Sequence, residues 1–213
     1  LKVLVATRSG DKLREIHQIL RGVRGIELVD LNDAGVAESP EEEAIERFDS
    51  FEENARAKAE YFARRSGLPT IADDSGIAVD ALGGAPGVRS KRYAPDTEAL
   101  TGEERDRANL LCLLDALGGR PLPERGGRYV CVAALNLADG SESMLFRGEV
   151  EGLVLDRPRG FGGFGYDPIF FHPGLGRTFA EIAAAEKDAV SHRGAAFRAL
   201  GEALGRCVRA TSR

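Results

Sequence analysis

The chain has 213 residues, 43% hydrophobic and 30% charged, with a formal net charge of −5 at pH 7. That length can bury one substantial core, and the acidic balance gives no general reason to bind DNA or RNA, which favour a basic face. No apolar run approaches the ~20 residues of a membrane helix, and Cys112, Cys131 and Cys207 are scattered without disulfide or zinc spacing.

His17, His172 and His192 are equally dispersed, and the short apolar start Leu1-Lys2-Val3-Leu4-Val5 does not make a signal h-region. These features predict a cytoplasmic protein, one domain over residues 1–213, with no nucleic-acid or membrane partner. Lys2 to Val5 reads as a buried strand. It runs through Ala6-Thr7-Arg8-Ser9-Gly10-Asp11 into a helix that aligns Leu13, Ile16, His17 and Leu20 on one face. That first turn can act as a phosphate cradle, since N–H groups at a helix start face an anion and the helix dipole adds attraction. Thr7 and Ser9 supply hydroxyls there, and Arg8 and Lys12 supply positive charge. An ordinary N-cap at Ser9 is the other reading.

Ser50-Phe51-Glu52-Glu53 is a capping box that opens a second helix, which stops at Gly67 before Pro69. Thr70 to Ala72 and Ile77 to Val79 read as short strands on either side of an acidic turn, Asp73-Asp74-Ser75-Gly76. Adjacent carboxylates repel unless one is protonated or a cation lies between them. Mg²⁺ takes oxygen ligands and commonly sits between one or two carboxylates and substrate phosphates. A solvated turn is the alternative, as Asp, Ser and Gly are ordinary turn residues. If the segment is extended instead, Asp73 and Asp74 point to opposite faces.

Thr101-Gly102-Glu103-Glu104 caps a third helix with Leu110, Leu113, Leu114 and Leu117 apolar and Gly118-Gly119 as its stop. Arg120 to Gly127 is linker-like. Tyr129 to Leu137 and Glu142 to Val150 read as strands joined through Ala138-Asp139-Gly140-Ser141. Gly160, Gly162 and Gly165 satisfy the dinucleotide spacing literally. The Tyr166-Asp167-Pro168 that follows cannot open the required helix, which excludes NAD binding. Either the run presents Phe164, Tyr166 and Asp167 to a planar ligand, or it is a glycine turn carrying core aromatics. Ile169 to Phe171 is a further strand, and Arg193 to about Val208 a closing helix. Ser191 is a fair N-cap for that helix, yet His192 and Arg193 in its first turn oppose the dipole, a hint that an anion or a polar ligand lies nearby. Helices alternating with strands, with one hairpin among them, predict an α/β fold with a mixed sheet.

Several of these pieces occur together, in order. They are Ala6-Thr7 with Lys12, Phe51-Glu52-Glu53-Asn54-Ala55 with Lys58, Ala72-Asp73-Asp74-Ser75-Gly76, and Asp80 through Val88. Arg92-Tyr93, Gly162 through Pro168, Thr178-Phe179-Ala180-Glu181, and Glu186-Lys187 with Ser191-His192-Arg193 follow. By these motifs the chain resembles the Ham1-like inosine triphosphate pyrophosphatases. The resemblance implies an elongated mixed sheet flanked by helices, two lobes around a substrate cleft, and a homodimer. It implies Mg²⁺-dependent conversion of noncanonical purine nucleoside triphosphates (ITP, dITP or XTP) to the monophosphate and pyrophosphate. Mn²⁺ is the other cation the ligand type admits.

Carried over by position, Asp74 matches the proton acceptor and metal ligand, and Glu46 the metal-binding Glu; Asp73, adjacent to Asp74, is a further candidate metal ligand on the residues alone. Ser75, Phe164, Gly165, Tyr166, Asp167, Lys187, His192 and Arg193 match substrate contacts, as does the loop Thr7, Arg8, Ser9 to Lys12. Lys58 would compensate the triphosphate together with Lys12. Where the family reads Thr-Gly-Asn, this chain has Thr7-Arg8-Ser9. That change leaves open a pyrophosphatase with another base preference, or a nucleotide-binding protein without turnover.

Overall fold

Strand β1 (Lys2–Val5) forms where the sequence places it, and Val3, Leu4 and Val5 are buried. The computed structural model describes residues 1–97, 99–100 and 102–211. Helix α1 (Gly10–Leu20) follows, with Ser9 as N-cap: its hydroxyl accepts from the Lys12 N–H at 3.4 Å. A short strand not anticipated from sequence, β2 (Glu27–Val29), pairs parallel with β1. Helix α2 (Phe51–Ser66) starts at the Ser50 cap and ends at Gly67, whose φ of 68° is the left-handed stop that favours glycine. Glu52 and Glu53 in its first turn and Arg64 and Arg65 in its last complement the dipole.

The acidic segment corrects the sequence reading. Instead of two strands and a turn, Thr70–Val79 is one unbroken strand, β3, parallel to β1. Asp and Gly disfavour strands locally, but burial and partners override that preference. Gly76 is required here, because a Cβ would lie 2.4 Å from the Gly87 carbonyl oxygen and 2.3 Å from Ser90 Oγ.

Helix α3 (Gly102–Leu117) buries Leu110, Leu113 and Leu117. The capping role read for Thr101 lies outside the described residues. Arg120 to Gly127 is not a linker. It holds a 3-10 turn (Leu122–Glu124) and the buried Arg125, whose guanidinium donates to the carbonyls of Gly118, Val154 and Leu155. β4 (Gly126–Asn136) and β5 (Met144–Val154) are shifted from the expected bounds, β4 starting three residues earlier and β5 ending four residues later. β6 (Phe170–His172), β7 (Arg177–Thr178), α4 (Ala184–Val190) and α5 (His192–Thr211) complete the chain; β7 and α4 had no clear sequence signal.

The sheet order is β2-β1-β3-β4-β5-β6-β7, with β6 antiparallel to β5 and β7. The fold is therefore α/β with a mixed sheet flanked by helices. The chain divides into two compact units, the first comprising Leu1–Asp74, Cys131–Gly148 and His192–Arg213, the second Ser75–Val130 and Glu149–Ser191. The first is built on Val3, Ile16, Ile71, Ala133, Phe197 and Leu200, the second on Ile77, Leu113, Tyr129, Ile169, Phe170 and Phe179.

Candidate active site

Within the first unit, β3 delivers two adjacent carboxylates to two different sets of partners, as strand alternation requires. Asp73 meets α1 and α5. Its Oδ2 lies 3.1 Å from Lys12 Nζ and 3.1 Å from Arg193 Nη2, and its side chain is 1% exposed. Asp74 meets α2, where Asn54 Nδ2 donates to its Oδ2 at 2.9 Å. Lys58, one turn further along α2, donates to the Asp73 carbonyl at 3.2 Å and forms an ion pair with Glu46. Arg193 is completed by Glu15 of α1, 2.5 Å from its Nη1. Where an anion or a polar ligand was expected near the start of α5, the carboxylates that meet Arg193 are the protein's own Asp73 and Glu15.

The electrostatics separate the two aspartates. Burial works against ionised Asp73, but Lys12, Arg193 and Lys58 outweigh it and hold this carboxyl well below the usual range. Asp74 goes the other way. Burial and then neighbouring Glu46 push it up to about 6, against the opposing pull of Lys12, Lys58 and the Asn54 hydrogen bond. Burial favours neutral Lys58, yet Glu46 and Asp73 more than compensate and its ammonium is held above its ordinary value. Arg193 is raised in the same sense by Asp73 and Glu15 despite its burial. The cluster therefore contains one carboxylate locked in its charged form and one poised near neutrality, the division that general-base chemistry needs.

The first loop is pinned locally. The Ser9 N–H donates to Thr7 Oγ1 at 3.2 Å, and Ser9 caps α1. Arg8 forms a two-point contact with Glu42, at 3.1 Å from Nε and 2.8 Å from Nη2, and Nη2 also donates to the Val36 carbonyl. Lys12 is the basic group of this loop that reaches Asp73.

Within the second unit, Asp167 and Lys187 form a buried ion pair at 2.5 Å. Asp167 also accepts from the Phe164 N–H at 2.9 Å and from the Tyr129 hydroxyl at 3.2 Å. Lys187 Nζ lies 4.6 Å from the Phe164 ring centroid. Gly163 has no room for a side chain, since a Cβ would fall 2.1 Å from Asp167 Oδ2. The Gly165 N–H donates to Asp106, and the Tyr166 hydroxyl donates to the Ser90 carbonyl at 2.8 Å. Tyr166 and Asp167 are buried, Phe164 is half-buried and Phe161 exposed, so the glycine run is a turn braced on its Tyr166-Asp167 side. Ser75 is half-buried on β3; Lys187 on α4 and His192, which opens α5, are each 3% exposed.

Three contributors escaped the sequence reading. Asn54 carried one available signal, an amide on the apolar face of α2. Glu15 and Tyr129 look like an ordinary helix charge and a core aromatic until the chain is folded.

These features make the chain an α/β protein with a buried cluster of carboxylates and cations on β3. A match to the Ham1 family covers residues 3–203, and the chain belongs to that family. It is 46% identical over 205 residues to the dITP/XTP pyrophosphatase of Frankia alni, covering 96% of this chain and 97% of that protein. It is 44% identical over 204 residues to the dITP/XTP pyrophosphatase of Yersinia pseudotuberculosis, covering 95% and 98%. Among solved structures, a HAM1 protein from Coxiella burnetii superposes with a TM-score of 0.81 at 35% identity, covering 97% of this chain and 99% of that one.

Proposed function

We propose that this chain hydrolyses noncanonical, deaminated purine nucleoside triphosphates (ITP, dITP and XTP) to the monophosphate and pyrophosphate, clearing them from the nucleotide pool. The observation that carries the reading is Asp74: a buried carboxylate poised near pH 6, held by Asn54, in a cluster with Glu46, Lys12 and Lys58. Full-length relatives named for that activity support it. Asp74 is ionised at neutral pH and basic enough to take the proton of an attacking water. Lys12 and Lys58 supply charge for the triphosphate, and Thr7, Ser9 and the first turn of α1 supply donors. Arg8 adds positive charge at the same loop, held by Glu42. We assign the base-handling groups to Phe164, Gly165, Tyr166, Asp167 and Lys187, and on the family resemblance alone we assign Ser75, His192 and Arg193 as further substrate contacts. Hypoxanthine and xanthine offer a 6-oxo group and an N1–H where adenine has a 6-amino group and a bare N1. A site built for the first pattern leaves groups unpaired against the second.

The donor set suits a hard divalent cation. The oxygens of Asp74 and Glu46 repel enough that Glu46 contributes to raising Asp74. Among the described residues no three His, Cys, Asp or Glu side chains converge into a cage. A carboxylate pair plus substrate phosphates is how Mg²⁺ is commonly held. We therefore assign Asp74 and Glu46 as the residues that would hold Mg²⁺, with Mn²⁺ as the substitute, and Asp73 as the anchor of Lys12 and Arg193. Bound there, the metal would neutralise phosphate charge and lower the pKa of a water. Among the described residues no helix is long and apolar enough to cross a membrane, and we place the enzyme in the cytoplasm. We propose a homodimer on the family resemblance.

The test is product analysis with ITP, dITP, XTP, ATP, GTP and dTTP, in Mg²⁺ and in EDTA. The reading predicts pyrophosphate from the first three in Mg²⁺ alone. Comparable turnover of ATP or dTTP, or release of orthophosphate, would overturn it.

A further inference from the structure

Asn54 is completely buried, on the face of α2 that also carries Phe51, Ala55 and Ala59. A buried amide costs free energy unless its polar atoms are matched. Here they are. Oδ1 accepts from the Phe48 N–H at 2.9 Å, while Nδ2 donates to the Phe48 carbonyl at 3.1 Å and to Asp74 Oδ2 at 2.9 Å. One side chain therefore grips both backbone groups of Phe48, as a neighbouring strand would, and one oxygen of Asp74.

The position of Phe48 gives this its consequence. Residues 46–49 are irregular, so neither a helix nor a sheet ladder sets where Glu46 lies. Phe48, two residues on, is fixed to α2 by Asn54, and Lys58, four residues further along the helix, takes the Glu46 carboxylate. Positions four apart share a helix face. Helix α2 thus acts as a ruler, with Asn54 setting Asp74 and the Phe48 backbone, and Lys58 setting Glu46 and the Asp73 carbonyl.

We propose that Asn54 is the positioning residue that keeps the Glu46 segment and the Asp74 carboxylate in register, and so sets the spacing of the two carboxylates that would hold the metal. The role that spacing serves rests on the function proposed above. Asn54 acts through Asp74 and Phe48, its hydrogen-bond partners.

Two variants separate positioning from mere stability. Asn54→Ser keeps a short polar group that reaches fewer partners, and Asn54→Gln keeps the amide one methylene too far out. Both are expected to lower kcat and weaken Mn²⁺ binding to the nucleotide-free protein, measured by calorimetry, by about 10-fold to 100-fold, the range for removing a group that orients a metal ligand. KM for ITP should stay within about threefold, because uniform substrate binding is not what Asn54 controls. Folded variants with native kcat and native Mn²⁺ affinity would overturn the proposal. Should both variants fail to fold, hydrogen exchange on the native chain decides. The Phe48 amide should be as protected as the amides of α2, and rapid exchange there would overturn the proposal. If the native chain releases no pyrophosphate from ITP, the proposed function fails; Mn²⁺ affinity and Phe48 exchange then still judge Asn54.

Discussion

Arg193 and Asp73 stand 120 residues apart in sequence and meet at 3.1 Å, their side chains 2% and 1% exposed. The pair ties the start of α5 to β3 and, through Glu15 and Lys12, to α1. Breaking such a pair from one side leaves a buried charge uncompensated, which costs about 3–5 kcal/mol. Asp73→Asn and Arg193→Met should each destabilise the protein by about that amount. The double variant should cost less than the two single costs added, because the second change removes the charge that the first one strands. Urea unfolding of the three variants checks this, and simple additivity would contradict it.

The Asp74 carboxyl gives a pH signature. Its native value of about 6 lies above its ordinary 3.8. Between those values the folded, metal-free chain binds more protons than the unfolded chain, so this group's contribution to stability falls as pH rises through the window. Above it the full cost persists, about 3 kcal/mol from the size of the shift. Asp74→Asn removes that cost while keeping the shape. In EDTA, the variant should match the native chain near pH 4 and exceed its unfolding free energy by about 1–3 kcal/mol at pH 7.5. A native chain as stable as the variant at pH 7.5 would show that Asp74 is not raised.

Gly148 on β5 sets the approach of α5. A Cβ there would lie 2.2 Å from the His192 carbonyl oxygen and 2.7 Å from the Ala196 nitrogen, both backbone atoms that cannot turn aside. Gly148→Ala should cost at least about 1–3 kcal/mol by overpacking. By moving the first turn of α5 it should also lower activity at saturating substrate. A thermal melt and a kcat measurement check both, and a variant with native Tm and kcat would mean the helix is not held at this point.

How much of this was legible in sequence depends on how local each signal is. β1, the Ser9 cap, and α2 from Ser50 to Gly67 were readable because their determinants lie within a few residues. The acidic segment read as a turn because Asp, Ser and Gly favour turns locally. It is a strand through its place in the sheet between β1 and β4, and Lys12, Arg193 and Asn54, distant in sequence, match its buried carboxylates. Asp73 and Asp74 were legible as candidates by their adjacency, and the opposite-facing geometry by strand alternation. Their division of labour was not, since it follows from which cations fold against which oxygen. Arg193 in the first turn of α5 hinted at an anion or a polar ligand nearby, but its carboxylate partners, Asp73 and Glu15, are the protein's own and lie far from it in sequence.

Tyr129 offers a mild probe of the second unit. Its hydroxyl donates to Asp167 at 3.2 Å while its ring stacks on Phe179, with centroids 6.0 Å apart. Tyr129→Phe keeps the ring and removes one hydrogen bond, which should cost about 1 kcal/mol of stability. Loosening Asp167 should raise KM for ITP with little change in kcat. A fall in kcat at unchanged KM would place Tyr129 in the chemical step instead.

The proposed function turns on Asp74 as the proton acceptor of a pyrophosphate-releasing hydrolysis. It is tested most directly by pyrophosphate release from ITP at saturating Mg²⁺, comparing the native chain with Asp74→Asn. Rapid release by the native chain is expected, with a loss of at least about 100-fold in the variant, the lower end of what a positioned general base contributes. A variant that releases pyrophosphate within a few-fold of the native rate would contradict it.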